Sequence, residues 1–247
     1  MGETLYGRNP VHECLRAARR QVFEVILAQG AHEQGTLMAI LALAGERRVR
    51  VQRVARQQLD RLGEGINHQG IVANVSDYPY ASWEDMLALA AMRRERPWLL
   101  LLDCLQDPQN LGTLLRTAEI LGVHGVVMPE RRSVGVTPAV VSASSGASEH
   151  LQIAQVTNLV RTIQDLQERD VWVYGLEDIQ GASPLWETDL RGALALVVGS
   201  EGQGMRRLVR ESCDVLVRLP MRGRITSLNA AVAGSVALYE VARQRWE

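Results

Sequence analysis

The hydrophobic positions of this chain recur in two rhythms, and the change between them divides it. Up to about Asp77 the apolar runs are short. Val22 to Ala28, Val49 to Val54 and Ile71 to Val75 read as strands, with helical spacing over Pro10 to Arg20 and Thr36 to Gly45. Asn9, just ahead of Pro10, is the expected cap of the first helix. From Trp98 onward, near-continuous apolar runs alternate with helical patterns. Strands are expected over Trp98 to Leu102, Gly125 to Met128, Leu151 to Val156, Val171 to Gly175, Leu194 to Val198 and Val215 to Leu219. Helices are expected over Leu111 to Leu121, Pro138 to Ser144, Leu159 to Glu168, Met205 to Ser212 and Leu228 to about Arg245. Apolar strands separated by helices predict an α/β fold with a parallel sheet covered on both faces. Between the two regions, residues 78 to 96 hold Pro79, a short amphipathic helix (Trp83 to Ala91) and a basic run, and read as a linker. The expected division is therefore a small α/β domain over 1–77, the linker 78–96 and a larger domain over 97–247.

Composition narrows the classes. At 247 residues and 47% hydrophobic, the chain is long enough for one large domain or two modest ones. No apolar run reaches membrane-spanning length and the N-terminus lacks a charged-then-apolar signal, so a cytoplasmic location is expected, with no membrane partner. Cys14, Cys104 and Cys213 are far apart, without a Cys-x-x-Cys pair, which favours buried thiols over a disulfide framework or metal site. His12, His32, His68, His124 and His150 show no spacing for metal or triad chemistry; His68, in the polar turn Asn67-His68-Gln69-Gly70, is the one singled out for a further role.

Net charge is −1, which gives no global attraction to nucleic acid. The chain has no lysine, however, so all 27 basic residues are arginines, and any phosphate contact must be made by forked guanidinium groups. They cluster at Arg47 to Arg56, at Arg93 to Arg96, at Arg206, Arg207 and Arg210, and at Arg218, Arg222 and Arg224. Most such clusters are solvated faces; the last two stand out because they flank glycine-bearing loops.

Three loops that follow apolar strands carry the candidate chemistry. Asp107-Pro108-Gln109-Asn110-Leu111-Gly112 leads into a helix bearing Arg116, with Asn110 the expected cap and its amide free to face a cleft. Arg116 has apolar neighbours (Leu114, Leu115, Ala118), which suggests partial burial against a plain surface position. Gly199-Ser200-Glu201-Gly202-Gln203-Gly204-Met205 opens a helix; counted from Gly202, the sixth position is Arg207, so the dinucleotide fingerprint is not met, and without lysine no Walker motif exists. Leu219-Pro220-Met221-Arg222-Gly223-Arg224-Ile225-Thr226-Ser227-Leu228-Asn229 places a rigid Pro, a soft Met and a Ser-x-Asn pair ahead of the last helix. Three such loops point to a cleft at the carboxyl edge of the sheet.

In order, Asn110-x-Gly112-x-x-x-Arg116, Gly199-Ser200-Glu201-Gly202-x-Gly204 and Pro220-Met221-x-Gly223-x-x-x-Ser227-Leu228-Asn229 resemble the three signature motifs of the SpoU/TrmH branch of SPOUT RNA 2′-O-ribose methyltransferases. Tyr6-Gly7-Arg8-Asn9-Pro10-Val11 and Asn67-His68-Gln69-Gly70-Ile71 are similar to that subgroup's L30e-like RNA substrate-binding domain, and the ending Tyr239 to Arg245 resembles the RlmB-type 23S rRNA (guanosine-2′-O-)-methyltransferases. Ala230-Ala231 departs from the Val-Ser that relatives often carry. The resemblance implies a trefoil-knotted domain, S-adenosyl-L-methionine as cofactor, a homodimer with its active site at the interface, RNA (23S rRNA foremost) as partner, and no metal. It also implies that Asn110, Arg116, Glu201, Ser227 and Asn229 hold catalytic and substrate positions. Gly199, Leu219 and Leu228 hold the cofactor by their backbone, and Met221 adds an apolar surface. Arg116 is the implied catalytic group, as base or as electrostatic stabiliser. Two other readings compete: the same chemistry on tRNA or another rRNA site, and a non-catalytic RNA-binding factor on the same fold.

Overall fold

The computed structural model describes residues 2–62, 66–225 and 227–246. The chain forms two compact units, residues 1–79 with 136–150, and residues 80–135 with 151–247.

The first unit begins with β1 (Glu3–Tyr6), α1 (Arg8–Ala17) and β2 (Val22–Ala28), followed by α2 (Thr36–Glu46), β3 (Arg50–Val54), α3 (Arg56–Leu62) and β4 (Ile71–Val75). Its sheet order is β1-β4-β2-β3, with only β2 and β3 parallel. The helix expected from Pro10 starts two residues earlier. Gly7 is its N-cap at φ 93°, a conformation that favours glycine, so Asn9 lies inside the helix and caps nothing. His68 proves to be a structural pin. It is 4% exposed, its Nδ1 accepts from Gly70 N at 3.0 Å and its Nε2 lies 2.8 Å from Asp60 Oδ1. That pattern fixes the neutral Nε2–H tautomer, with the proton donated to Asp60. The later segment holds α6 (Pro138–Ala143), capped by Thr137, and packs within this unit. There Arg20, its side chain fully buried, donates to Glu149 at 3.2 Å and also to Glu3, while Tyr78 donates to Ser148 O at 2.7 Å. Burial pushes the Glu149 carboxyl up from its ordinary range, against the pull of Arg20.

The second unit starts with α4 (Trp83–Arg93), whose N-terminus is a capping box between Ser82 and Asp85. Then come β5 (Trp98–Asp103), α5 (Pro108–Leu121), β6 (Gly125–Pro129), β7 (Ile153–Val156), α7 (Leu159–Gln167), β8 (Trp172–Leu176), the two-residue β9 (Ser183–Pro184), β10 (Leu194–Gly199), α8 (Arg207–Glu211), β11 (Val215–Arg218) and α9 (Ala230–Trp246). All seven strands are parallel, in the order β7-β6-β5-β10-β8-β11-β9. The expected α/β fold with a parallel sheet is what the sequence folds into. Its core is the apolar strand interiors, among them Leu99, Leu101, Val127, Val173 and Val197, each fully buried; each such side chain contributes about 1.5–3 kcal/mol. Gly234 lets α9 lie close, since a Cβ there would meet Leu114 Cδ2 at 2.6 Å. Among the described residues no helix is long and apolar enough to cross a membrane.

The start of β5 carries a pH-sensitive contact. Trp98 N donates to His124 Nδ1 at 3.1 Å, and His124 Nε2 lies 2.9 Å from Glu95 Oε2. Burial holds the His124 pKa below its ordinary value, even though Glu95 raises it. The unfolded chain therefore takes up this proton first. The contribution is fully present above the unfolded value of about 6.5 and is lost as pH falls through the lower folded value. Thermal melts from pH 7.5 to 5 should show wild-type stability falling below about pH 6.5, and His124→Gln should flatten that slope. An unchanged slope in the variant would assign the acid sensitivity elsewhere.

Candidate active site

The chain runs β5, β6, β7 to one side of the sheet and then crosses to the other with β8, placing β10 between β5 and β8 and β11 beyond β8, so the order reverses between β5 and β10. Loops diverge there at the carboxyl ends, which leaves a crevice. All three motif loops meet at it.

Pro108 at the first turn and Asp107 as N-cap start α5; the Asp107 carboxylate accepts from Gln109 N at 3.2 Å and Asn110 N at 3.3 Å. The cap is thus Asp107, whose carboxylate reaches back to the orphan amides of the first turn, and Asn110 is inside the helix. Its side chain remains available to the crevice. The loop after β10 closes on itself: Ser200 N donates to Gly204 O and Gly204 N to Ser200 O, both at 3.0 Å, with Gly202 and Gly204 at φ 76° and 66°. Asp103, fully buried at the end of β5, fastens the far side of this loop. It accepts from Arg206 N, Nε and Nη2, each at 2.7 Å. The last helix begins at Ala230 instead of Leu228, because Asn229 caps it: Oδ1 accepts from Ala231 N at 2.9 Å and Val232 N at 3.2 Å. Thr226 of that loop lies outside the described residues.

One chain of side-chain hydrogen bonds joins the three loops. Asn229 Nδ2 donates to Asn110 Oδ1 at 3.0 Å, and Asn110 Nδ2 donates to Glu201 Oε1. Because Oδ1 of Asn229 is held by the helix cap, its amide has one orientation, and that orientation sets Asn110 and then Glu201. A cleft of about 660 Å³ opens beside this chain. Its walls include Gly199, Glu201, Leu219, Met221, Ser227, Leu228 and Asn229, all named from the sequence. Asn110 reaches this group through Glu201 and Asn229. Arg116, six residues on and about 9 Å further along the helix axis, is exposed and stands outside the cleft wall. Its apolar neighbours face the core while the guanidinium does not, which corrects the expectation of partial burial.

Sequence reading passed over Leu176, Glu177 and Asp178, which complete the cleft. No local sequence pattern marks them; strand pairing places them. Leu176 pairs with Val198 in register, so the residues after β8 must lie beside Gly199. Glu177 has an Oε2 that is buried with no hydrogen-bond partner among the described residues. The thiols are quiet, with Cys14 and Cys213 pushed up to about 12 by burial. Cys14 is buried as expected, whereas Cys104 and Cys213 are half-buried. No cluster of metal-binding side chains occurs among the described residues.

Two family models match, the SpoU rRNA Methylase family over residues 97–239 and RNA 2′-O ribose methyltransferase substrate binding over residues 4–81. The chain belongs to the SpoU rRNA methylase family. It is an RNA 2′-O-ribose methyltransferase by that membership. Its relatives include YacO of Bacillus subtilis, assigned to the TrmH family of tRNA/rRNA methyltransferases (44% identity over 97% of this chain and 94% of that one). The 23S rRNA (guanosine-2′-O-)-methyltransferase RlmB of Pseudomonas syringae pv. tomato is 43% identical over 98% of this chain and 96% of its own length. Among solved structures, the SpoU methyltransferase AviRb from Streptomyces viridochromogenes in complex with AdoMet shares the fold, with a TM-score of 0.81 at 23% identity, over 98% of this chain and 90% of AviRb.

The residues present fit S-adenosylmethionine, the cofactor of the family. Gly199 lets the loop after β10 close tightly at the wall of the cleft, since a Cβ there would meet Gly204 C at 2.3 Å and Met205 N at 2.4 Å. Leu219, Met221 and Leu228 offer apolar surface, and the orphaned Glu177 Oε2 offers an acceptor to a ligand hydroxyl or ammonium.

Proposed function

We propose that this protein methylates the ribose 2′-hydroxyl of a guanosine in 23S rRNA, in the peptidyl-transferase region, and that it acts as a homodimer. The observation that carries the reading is the Asn229–Asn110–Glu201 chain beside the cleft, which makes three separate motif loops one site. The full-length likeness to RlmB supports 23S rRNA.

Bound in the cleft, S-adenosylmethionine supplies a methyl group already activated by its sulfonium. The residues of this chain then have two tasks: to align the ribose oxygen, and to help a weakly acidic hydroxyl lose its proton. Gly199, Leu219 and Leu228 hold the cofactor through their backbone, with Met221 as an apolar face. Asn110 and Glu201, fixed by Asn229, orient the ribose, and Ser227 sits where cofactor and nucleotide meet. The Arg116 guanidinium stabilises the forming alkoxide; water or a neighbouring RNA phosphate takes the proton.

Support for the dimer comes from α5 and α9. Val232, Val236 and Tyr239 form an exposed stripe on α9, and Ile120 is 66% exposed on α5, on helices joined by the Thr117–Ser235 contact at 2.9 Å. An apolar face of that kind is an association surface. A knotted backbone around the cleft, and RNA capture by the 1–77 domain, complete the reading.

The test is tritium transfer to three RNAs: a transcribed peptidyl-transferase-region fragment of 23S rRNA, tRNA and total rRNA. The reading expects the fragment to be methylated at one guanosine. Transfer to tRNA instead would replace the substrate and keep the chemistry.

A further inference from the structure

The loop Ser200–Gly204 has two faces. One lines the cofactor cleft. The other lines a second, separate cleft of about 440 Å³, which Gln106, Arg132, Gln203, Arg206 and Arg207 complete. Ser200, Glu201, Gln203 and Gly204 belong to both walls, so whatever occupies the second cleft sits one loop away from the methyl donor.

This second cleft carries three guanidinium groups, one of which is held in place. Arg206 spends Nε and one Nη2 hydrogen on buried Asp103, yet its side chain is still 44% exposed. The fork is thereby fixed with donors to spare, since a guanidinium carries five. Arg132 is exposed on a left-handed turn at φ 64° and has no ion-pair partner among the described residues. Among the described residues Arg207 is paired only with Glu211, one helical turn along its own exposed face, an arrangement worth little in water. On the acidic side, Asp103 is consumed by Arg206 and Glu201 accepts from Asn110. Forked donors match the oxygens of a phosphodiester.

We infer that this second cleft is a subsite for the RNA backbone, taking a phosphate that flanks the methylated nucleotide, with Arg132 and Arg207 as its principal contacts and Arg206 as its fixed wall. The inference rests on the proposed RNA substrate. Its logic is one of distance: a strand whose ribose reaches Glu201 from one side must lay its next phosphate within a nucleotide's length, and the only arginine-lined cleft sharing that loop among those described is this one. Gln106 and Gln203 add amides that read a base edge.

The test compares wild type with Arg132→Gln, Arg207→Gln and the double variant. Binding to the 23S rRNA fragment is measured across a salt series, and S-adenosylhomocysteine binding by calorimetry. Each single variant should lose about three- to ten-fold in RNA affinity and reduce the salt slope by about 0.7 to 1, with cofactor affinity unchanged. A neutral methylphosphonate at the flanking linkage should weaken wild type and leave the double variant indifferent. Unchanged RNA affinity and slope would overturn the inference, and so would parallel loss of cofactor binding, which would make these arginines part of the wall alone. Failure of the functional reading looks different: wild type would bind RNA with the same arginine dependence and transfer no methyl group.

Discussion

Replacing Arg116 by alanine should lower the turnover of methyl transfer by on the order of a thousand-fold while leaving cofactor affinity as it was. The separation follows from position. Arg116 is exposed on α5, outside the wall of the cofactor cleft, so its loss removes nothing that the cofactor touches. A charge aimed at a developing alkoxide acts only in the transition state, and removing one such group costs about 3–4 kcal/mol. Arg116→Lys should recover part of the rate, because an ammonium supplies charge without the planar fork. The check is a single-turnover rate beside a calorimetric titration with S-adenosylhomocysteine. Near-wild-type turnover for the lysine variant at every pH would remove any special role for the guanidinium. Equal losses in rate and cofactor affinity would relocate Arg116 into the binding site.

The second large effect is expected at Gly199, and it has the opposite signature. A methyl group there would lie 2.3 Å from Gly204 C and 2.4 Å from Met205 N, both backbone atoms that cannot swing aside. Room for it requires opening the paired Ser200–Gly204 bonds, which also displaces Glu201 from Asn110. Gly199→Ala should therefore weaken cofactor binding by about 100-fold, roughly 3 kcal/mol, and depress turnover with it. RNA affinity, which the proposal assigns to the 1–77 domain, should survive. Full cofactor affinity in this variant would mean that the loop is more compliant than its closed geometry implies.

Much of this site could be read from the chain alone, for a physical reason. Strands buried on both faces leave long apolar runs, so β5, β6 and β10 stood out in the sequence within a residue of their ends. Polar loops following such runs were bound to lie at one sheet edge. Helix starts were less legible, because a cap is a competition among neighbours. Asp107 outranks Asn110 because its carboxylate reaches two first-turn amides, and Gly7 outranks Asn9 because the backbone there sits at φ 93°. The edge strand β1 and the short α3 carry too few apolar residues to show a period. Asp103 and Glu177 were out of reach for another reason. Each gains its role from strand order, with Asp103 facing Gly199 and Glu177 following the Leu176–Val198 pair, and no local pattern encodes that order.

Wild-type protein, labelled S-adenosylmethionine and the 23S rRNA fragment should yield, after complete nuclease digestion and mass spectrometry, label only in a 2′-O-methylguanosine. Label on a base, or none in any RNA despite measurable RNA binding, would contradict the proposed function, and the latter would make this a binding factor built on a methyltransferase fold.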